Sequence, residues 1–93
     1  MVRVEYDPIK RAFTLEIRGL DMARAGEVFD GATLTVQDDR RNYGEDRYLT
    51  IGFLDGAMVV LVWTPRARTK RVISMRKANE RERKLYGPRF GPG

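Results

Sequence analysis

The order of periodicities along this chain predicts an α+β fold. Apolar residues recur at helical spacing between Asp7 and Asp30, at strand spacing from Thr33 to Lys77, and the chain turns helical again after Asn79. A run of helices followed by a run of strands packs its helices on one face of a sheet. The expected architecture is two N-terminal helices on an antiparallel sheet of three or four strands, closed by a C-terminal helix. With 93 residues and no internal repeat, 1–93 reads as a single domain of marginal stability.

Each element has its local reason. Arg3 to Tyr6 alternates over too few residues for more than a short edge strand. Asp7-Pro8 supplies an N-cap and a proline at the first helical position. Ile9, Ala12, Phe13 and Ile17 then share one helical face, which is assigned to the core, and Gly19 stops the helix. A second helix restarts at Asp21 with Met22, Ala25 and Phe29 on one face and ends at Gly31.

From Thr33 the period becomes two. Leu34 and Val36 share a face of a first strand, and the ten polar residues from Gln37 to Asp46 read as a loop. Arg47 to Leu54 follows as a strand with Leu49, Ile51 and Phe53 inward and Tyr48 and Thr50 outward. Asp55-Gly56 is a hairpin signal. Met58 to Trp63 is apolar on both faces and suits a central strand, with Trp63 as a core or edge filler. After a turn at Thr64 to Thr69, the last strand alternates. Ile73 and Met75 are expected on one face, and Val72, Ser74 and Arg76 on the other. Asn79 and Glu82 have capping-box spacing, Gly87-Pro88 ends the last helix near Tyr86, and residues 87–93 are expected to fray.

Composition excludes much chemistry. The chain has no cysteine and no histidine, which removes disulfides, thiolate zinc sites and imidazole catalysis. Acid–base work falls to carboxylates, Lys, Tyr or water, and any metal would need oxygen ligands alone; no metal or cofactor is expected. No P-loop, dinucleotide fingerprint, zinc-protease motif or serine elbow is present. The longest apolar run, Ala57 to Trp63, is far below the ~20 residues that cross a bilayer. The N-terminal MVRVEYD has no apolar signal core, and the expected location is cytoplasmic.

Charge is segregated. Residues 1–65 carry 8 basic and 11 acidic side chains, whereas residues 66–93 carry 10 basic and 2 acidic, a balance of +8. That imbalance points the C-terminal third at phosphate-rich or acidic partners. A polar sheet face with Tyr48, Thr50, Ser74 and Arg76 would combine an aromatic ring for stacking with a guanidinium for phosphate. Arg47 and Arg71 begin their strands close by, although alternation puts Arg47 on the apolar side. Glu45 is the one carboxylate connected to that face, as a base or as half of a surface ion pair. Lys10-Arg11 and Arg40-Arg41 read as ordinary surface pairs.

Certain stretches also match a known pattern. They are Glu5-Tyr6-Asp7-Pro8 with Lys10, Arg18-Gly19-Leu20, Ala25 to Asp30, Gly44 to Tyr48, Ile51-Gly52, Arg71 to Ala78 and Glu80 to Arg83. Together they resemble the BrnT family of type II toxins, which have the RelE-like ribonuclease fold. The resemblance implies a toxin that cleaves RNA and blocks translation. It also implies a BrnA-like antitoxin that inhibits it and carries the contact with operator DNA. By that resemblance Arg76, Arg47 and Arg71 would clamp the phosphate and Ser74 would donate a hydrogen bond. Glu45 or Lys77 would be the base, Tyr48 would stack on a nucleobase, and Arg66 and Arg68 would bind RNA. The competing reading keeps the fold without catalysis, as a co-repressor acting with its antitoxin. One departure is Arg18, where the family usually has histidine before the glycine of the helix–helix turn.

Overall fold

The structure is a computed structural model that describes residues 2–40 and 42–91. Its elements are β1 (Val4–Glu5), α1 (Pro8–Arg18), a 3₁₀ turn (Met22–Arg24), α2 (Ala25–Asp30), β2 (Leu34–Gln37), β3 (Tyr48–Leu54), β4 (Ala57–Pro65), β5 (Lys70–Lys77), α3 (Glu80–Tyr86) and a final 3₁₀ turn (Gly87–Phe90). The class is α+β. The sheet has five strands in the order β1-β5-β4-β3-β2 and is mixed, not purely antiparallel. The correction comes from β1, whose Val4 and Glu5 lie parallel to Lys70 and Arg71 at the sheet edge.

The local signals form as their chemistry requires. The Asp7 carboxylate accepts from the Ile9 N–H, and Gly19 adopts φ 69° while its N–H donates to the Leu15 carbonyl. Asp55 and Gly56 both have positive φ, 51° and 80°, the backbone that a two-residue hairpin between twisted strands demands. Asn79 and Glu82 complete the capping box in both directions.

Both faces of the sheet are covered, each by a different core. On the first, Leu20, Met22, Ala25 and Val28 pack against Val59, Leu61, Trp63, Val72 and Met75. There α2 lies directly over β3: a Cβ on Gly52 would stand 2.6 Å from Val28 Cγ1. On the second, Ile51, Met58, Val60 and Ala78 are buried beneath Tyr86 and Phe90. Phe90, in the final 3₁₀ turn, meets the Phe53 ring edge-on at 4.9 Å; residues 92–93, where fraying is also expected, lie outside the described residues.

Three expectations about faces fail. Directly opposed residues in adjacent strands share a face, and Tyr48, Trp63 and Val72 form one row, with Thr50, Leu61 and Met75 the next. Tyr48 and Thr50 therefore point into the first core, while Leu49 and Ile51 sit opposite Val62 and Val60 on the second face. Strict alternation also breaks on β5. Val62 pairs with Ser74 but Trp63 pairs with Val72, so Ile73 is an unpaired bulge residue. The bulge lets Val72 and Met75, three apart, both enter the first core. The third failure is α1. Thr14 is its buried residue, and Arg11 and Arg18 anchor it through Asp21 and the Met75 carbonyl. The apolar stripe Ile9, Ala12, Phe13 and Ile17 faces solvent.

Candidate functional site

Register decides which functional side chains can meet. Ser74 and Arg76 on β5 oppose Val62 and Val60 and so belong to the second face. Arg71 opposes Thr64, and alternation from Trp63 and Val72 puts that pair on the second face too. Arg47 precedes Tyr48 and lies on the opposite side from it; the Asp38 N–H donates to the Arg47 carbonyl at 2.8 Å, which continues the β2–β3 ladder. Thr64 Oγ1 donates to the Asp46 carbonyl at 2.6 Å and ties the long loop to β4. The second face thus divides. Its hairpin end is roofed by α3, with Arg76 in the roofed row beside Val60, and its other end presents Arg47, Arg71 and Ser74. From Arg71 to Arg76 the strand covers about 16 Å, at ~3.3 Å per residue.

At the far end of this face the charges form one connected chain. Arg71 Nη1 stands 3.5 Å from Glu5 Oε1, and Arg66 Nε 3.9 Å from the same oxygen. Arg66 Nη1 continues to Glu45 Oε1 at 3.6 Å, and Glu45 Oε2 accepts from Arg47 Nε at 3.4 Å. The Arg47 guanidinium covers the Tyr43 ring at 3.9 Å. Glu45, Arg47, Arg66 and Arg71 are therefore brought together, with Glu5 as a link that the sequence reading did not include. These are long, partly solvated ion pairs worth little to stability. Chemically they place a carboxylate acceptor among three guanidinium groups.

At the near end Arg76 grips Glu82 with two hydrogen bonds of 2.6 and 2.8 Å. The paired guanidinium draws the Glu82 carboxyl down to about 2, and the Asn79 N–H adds to it against partial burial. The same bonds raise the Arg76 pKa, against burial and, more weakly, the positive charge of Arg40.

Arg40 and Asp38 were missed by sequence reasoning. Asp38 is buried, and its two oxygens accept from Arg40 Nε and Nη2 at 2.7 and 2.9 Å, with the Tyr43 hydroxyl at 3.4 Å. The Arg40 hydrogen bonds hold the Asp38 carboxyl below its usual range against burial. Arg40 is thus the ion-pair partner of a buried carboxylate and not an ordinary surface cation; Arg41 lies outside the described residues. A carboxylate in a run of polar loop residues carries no sign that it will be buried, so only the fold reveals it.

Three expected members, Tyr48, Thr50 and Lys77, stand apart on the first face. Tyr48 stacks on Trp63 with centroids 5.0 Å apart and an interplanar angle of 28°, inside the first core. Trp63 Nε1 donates to Thr50 Oγ1 at 2.7 Å in the same core. Lys77 opposes Val59 and lines a hollow with Asp21 and Asp55, on the opposite face from Arg76. Arg68 is exposed in the β4–β5 turn and lines a cationic hollow of about 420 Å³ with Arg3, Arg66 and Lys70. Arg18, the departure from the family pattern, spends its guanidinium on the Met75 carbonyl at 2.9 Å and holds α1 to the edge of β5.

Among the described residues, no group of three or more Asp or Glu could hold a metal ion, and no helix is long and apolar enough to cross a membrane. No curated protein sequence matches the chain. One family model does, described as the ribonuclease toxin BrnT of type II toxin-antitoxin systems, and it aligns with residues 6–82. That span takes in α1, the sheet from β2 to β5 and the capping box of α3. The guanidinium-lined face therefore sits in a chain that belongs to the BrnT family of type II ribonuclease toxins.

Proposed function

We propose that this protein is a metal-independent endoribonuclease that works in the cytoplasm, blocks translation and is neutralised by a BrnA-like antitoxin. The antitoxin, not this chain, contacts operator DNA. The observation that carries the reading is the convergence of Arg47, Arg71, Ser74 and Arg76 on one sheet face, beside Glu45, in a member of a ribonuclease toxin family.

The ribose 2′-oxygen attacks the adjacent phosphorus, its proton passes to Glu45, and the bond from phosphorus to the 5′-oxygen breaks. The products are a 2′,3′-cyclic phosphate and a 5′-hydroxyl, the leaving oxygen taking up a proton. Charge develops on the phosphoryl oxygens during this step. Arg47, Arg71 and Arg76, the last held in place by Glu82, supply fixed positive groups there, and preorganised charge of this kind is worth roughly 10²–10³-fold per group in other enzymes. Ser74 donates from the middle of the face. Arg66 and Arg68 extend the positive surface along the RNA strand.

A second reading, the non-catalytic co-repressor, is favoured by one observation: two Arg76 nitrogens are already committed to Glu82. Incubating the pure protein with RNA, with and without EDTA, separates the two. Products ending in cyclic phosphate in both samples support the enzyme, and intact RNA in both supports the co-repressor.

A further inference from the structure

The helix α1 is built inside out. Its polar side, Thr14, Arg11 and Arg18, is turned to the protein, and its apolar side is turned to water. Ile9, Phe13 and Ile17 are 80%, 59% and 64% exposed. Three large apolar groups in line on one helix are not a scatter of surface residues, and such a stripe marks an interaction surface. The stripe borders a groove of about 400 Å³ whose far wall is Ile73 and Ser74 of β5. The bulge at Ile73 turns that side chain out of the strict alternation and toward the groove.

We infer that this groove receives an amphipathic helix of the antitoxin, with acidic residues flanking its apolar face. The inference rests on the toxin reading above. Three observations select this occupant. The flanks of the groove are cationic, with Lys10 and Arg18 lining it and Arg76 two residues past Ser74. A second copy of this chain would bring like charges together, which is costly, whereas an acidic helix is complementary. The edge of β5 does not suit an added strand, because Arg18 occupies the Met75 carbonyl and α1 lies along that edge. An α1 of 11 residues offers a track of about 16 Å, the length of three helical turns.

The groove includes Ser74, so its occupant reaches the candidate catalytic face. Neutralisation then needs no change in the toxin's shape; the bound helix covers Ser74 and its acidic flank competes with phosphate for Arg76.

The experiment is a binding titration of the purified toxin with the antitoxin encoded by the adjacent gene. The variants are Phe13→Ser/Ile17→Ser, Lys10→Glu and Leu85→Ser, and RNA cleavage is followed in parallel. The double variant removes only exposed apolar surface and should weaken binding about 100-fold, as central apolar anchors do. It should cleave RNA at the wild-type rate and escape inhibition. Lys10→Glu should lose about tenfold through charge reversal and carries the test if the double variant misfolds. Leu85→Ser, exposed on α3, should bind as the wild type does. Wild-type affinity in both groove variants, equal loss in Leu85→Ser, or no complex with the unaltered toxin overturns the proposal. If the binding pattern holds while the unaltered toxin leaves RNA intact, the docking site stands and the ribonuclease reading falls.

Discussion

Arg76 and Glu82 meet through two hydrogen bonds, and the same Glu82 oxygen that takes the shorter one also accepts the Asn79 N–H. One carboxylate thus closes the cap of α3 and pins the last strand to it. The ion pair makes α3 a roof over the second core and sets the edge of the open face.

The pair makes stability depend on acid in a defined window. Glu82 titrates at about 2 in the folded protein against 4.5 for a free side chain. Below 4.5 the unfolded chain takes up a proton that the folded one refuses, so this contribution is whole above pH 4.5 and is lost as pH falls toward 2. Glu82→Gln should cost about 1–2 kcal/mol at pH 7 after allowing for solvent screening. Urea unfolding at pH 7 and at pH 2.5 checks it: the gap between the two proteins should be wide at the first and shrink to roughly a quarter of that at the second. A gap that stays constant would mean that the carboxylate charge is not what stabilises the corner.

Arg40 should be structural despite its exposure. Its removal leaves the buried Asp38 carboxylate without its bidentate partner, a type of change that costs several kcal/mol when fully buried. With Arg40 itself solvated, Arg40→Ala should lose about 2 kcal/mol, and Arg40→Ala/Asp38→Asn should regain most of it. Chemical denaturation of the two variants decides, and equal stability in Arg40→Ala and the wild type would rule out the pairing.

Gly52 is where α2 rests on the sheet. Gly52→Ala forces a methyl against Val28 Cγ1 and Thr33 Cγ2, at 2.6 and 3.2 Å, and should cost about 1–3 kcal/mol as overpacking does. Val28→Ala in the same chain should recover part of that loss. A thermal melt of both variants tests this contact, and an unshifted midpoint in Gly52→Ala would contradict it.

What the sequence made legible was local chemistry. Asp7-Pro8, Asp55-Gly56 and Asn79 with Glu82 each act within a few residues of themselves, and each forms as its residue types demand. The faces of the sheet were not legible, for two physical reasons. Both faces are buried, so the alternation along Tyr48 to Leu54 could not say which side the helices take, and Tyr48 rather than Arg47 went into the helix-covered core. The bulge at Ile73 then shifted the phase of β5 between Val72 and Ser74, which no residue of that stretch announces. In α1 the period of Ile9, Phe13 and Ile17 defined an apolar face correctly but not what it turns toward. The candidate site was legible in its arginines, which lie in the stretches that resemble the family, and illegible in Asp38, Arg40 and Glu5, which only the fold brings to them.

The central claim is that RNA is cut on the second sheet face, and cleavage rates of four folded variants on one RNA test it most directly. Arg47→Ala and Arg76→Ala, on that face, should each lose about 100-fold, close to 3 kcal/mol of transition-state stabilisation. Tyr48→Phe and Lys77→Ala, on the other face, should stay within about threefold of the wild type. Circular dichroism confirms that all four are folded. Full activity in Arg47→Ala and Arg76→Ala, or losses in Tyr48→Phe and Lys77→Ala as large as theirs, would contradict the account.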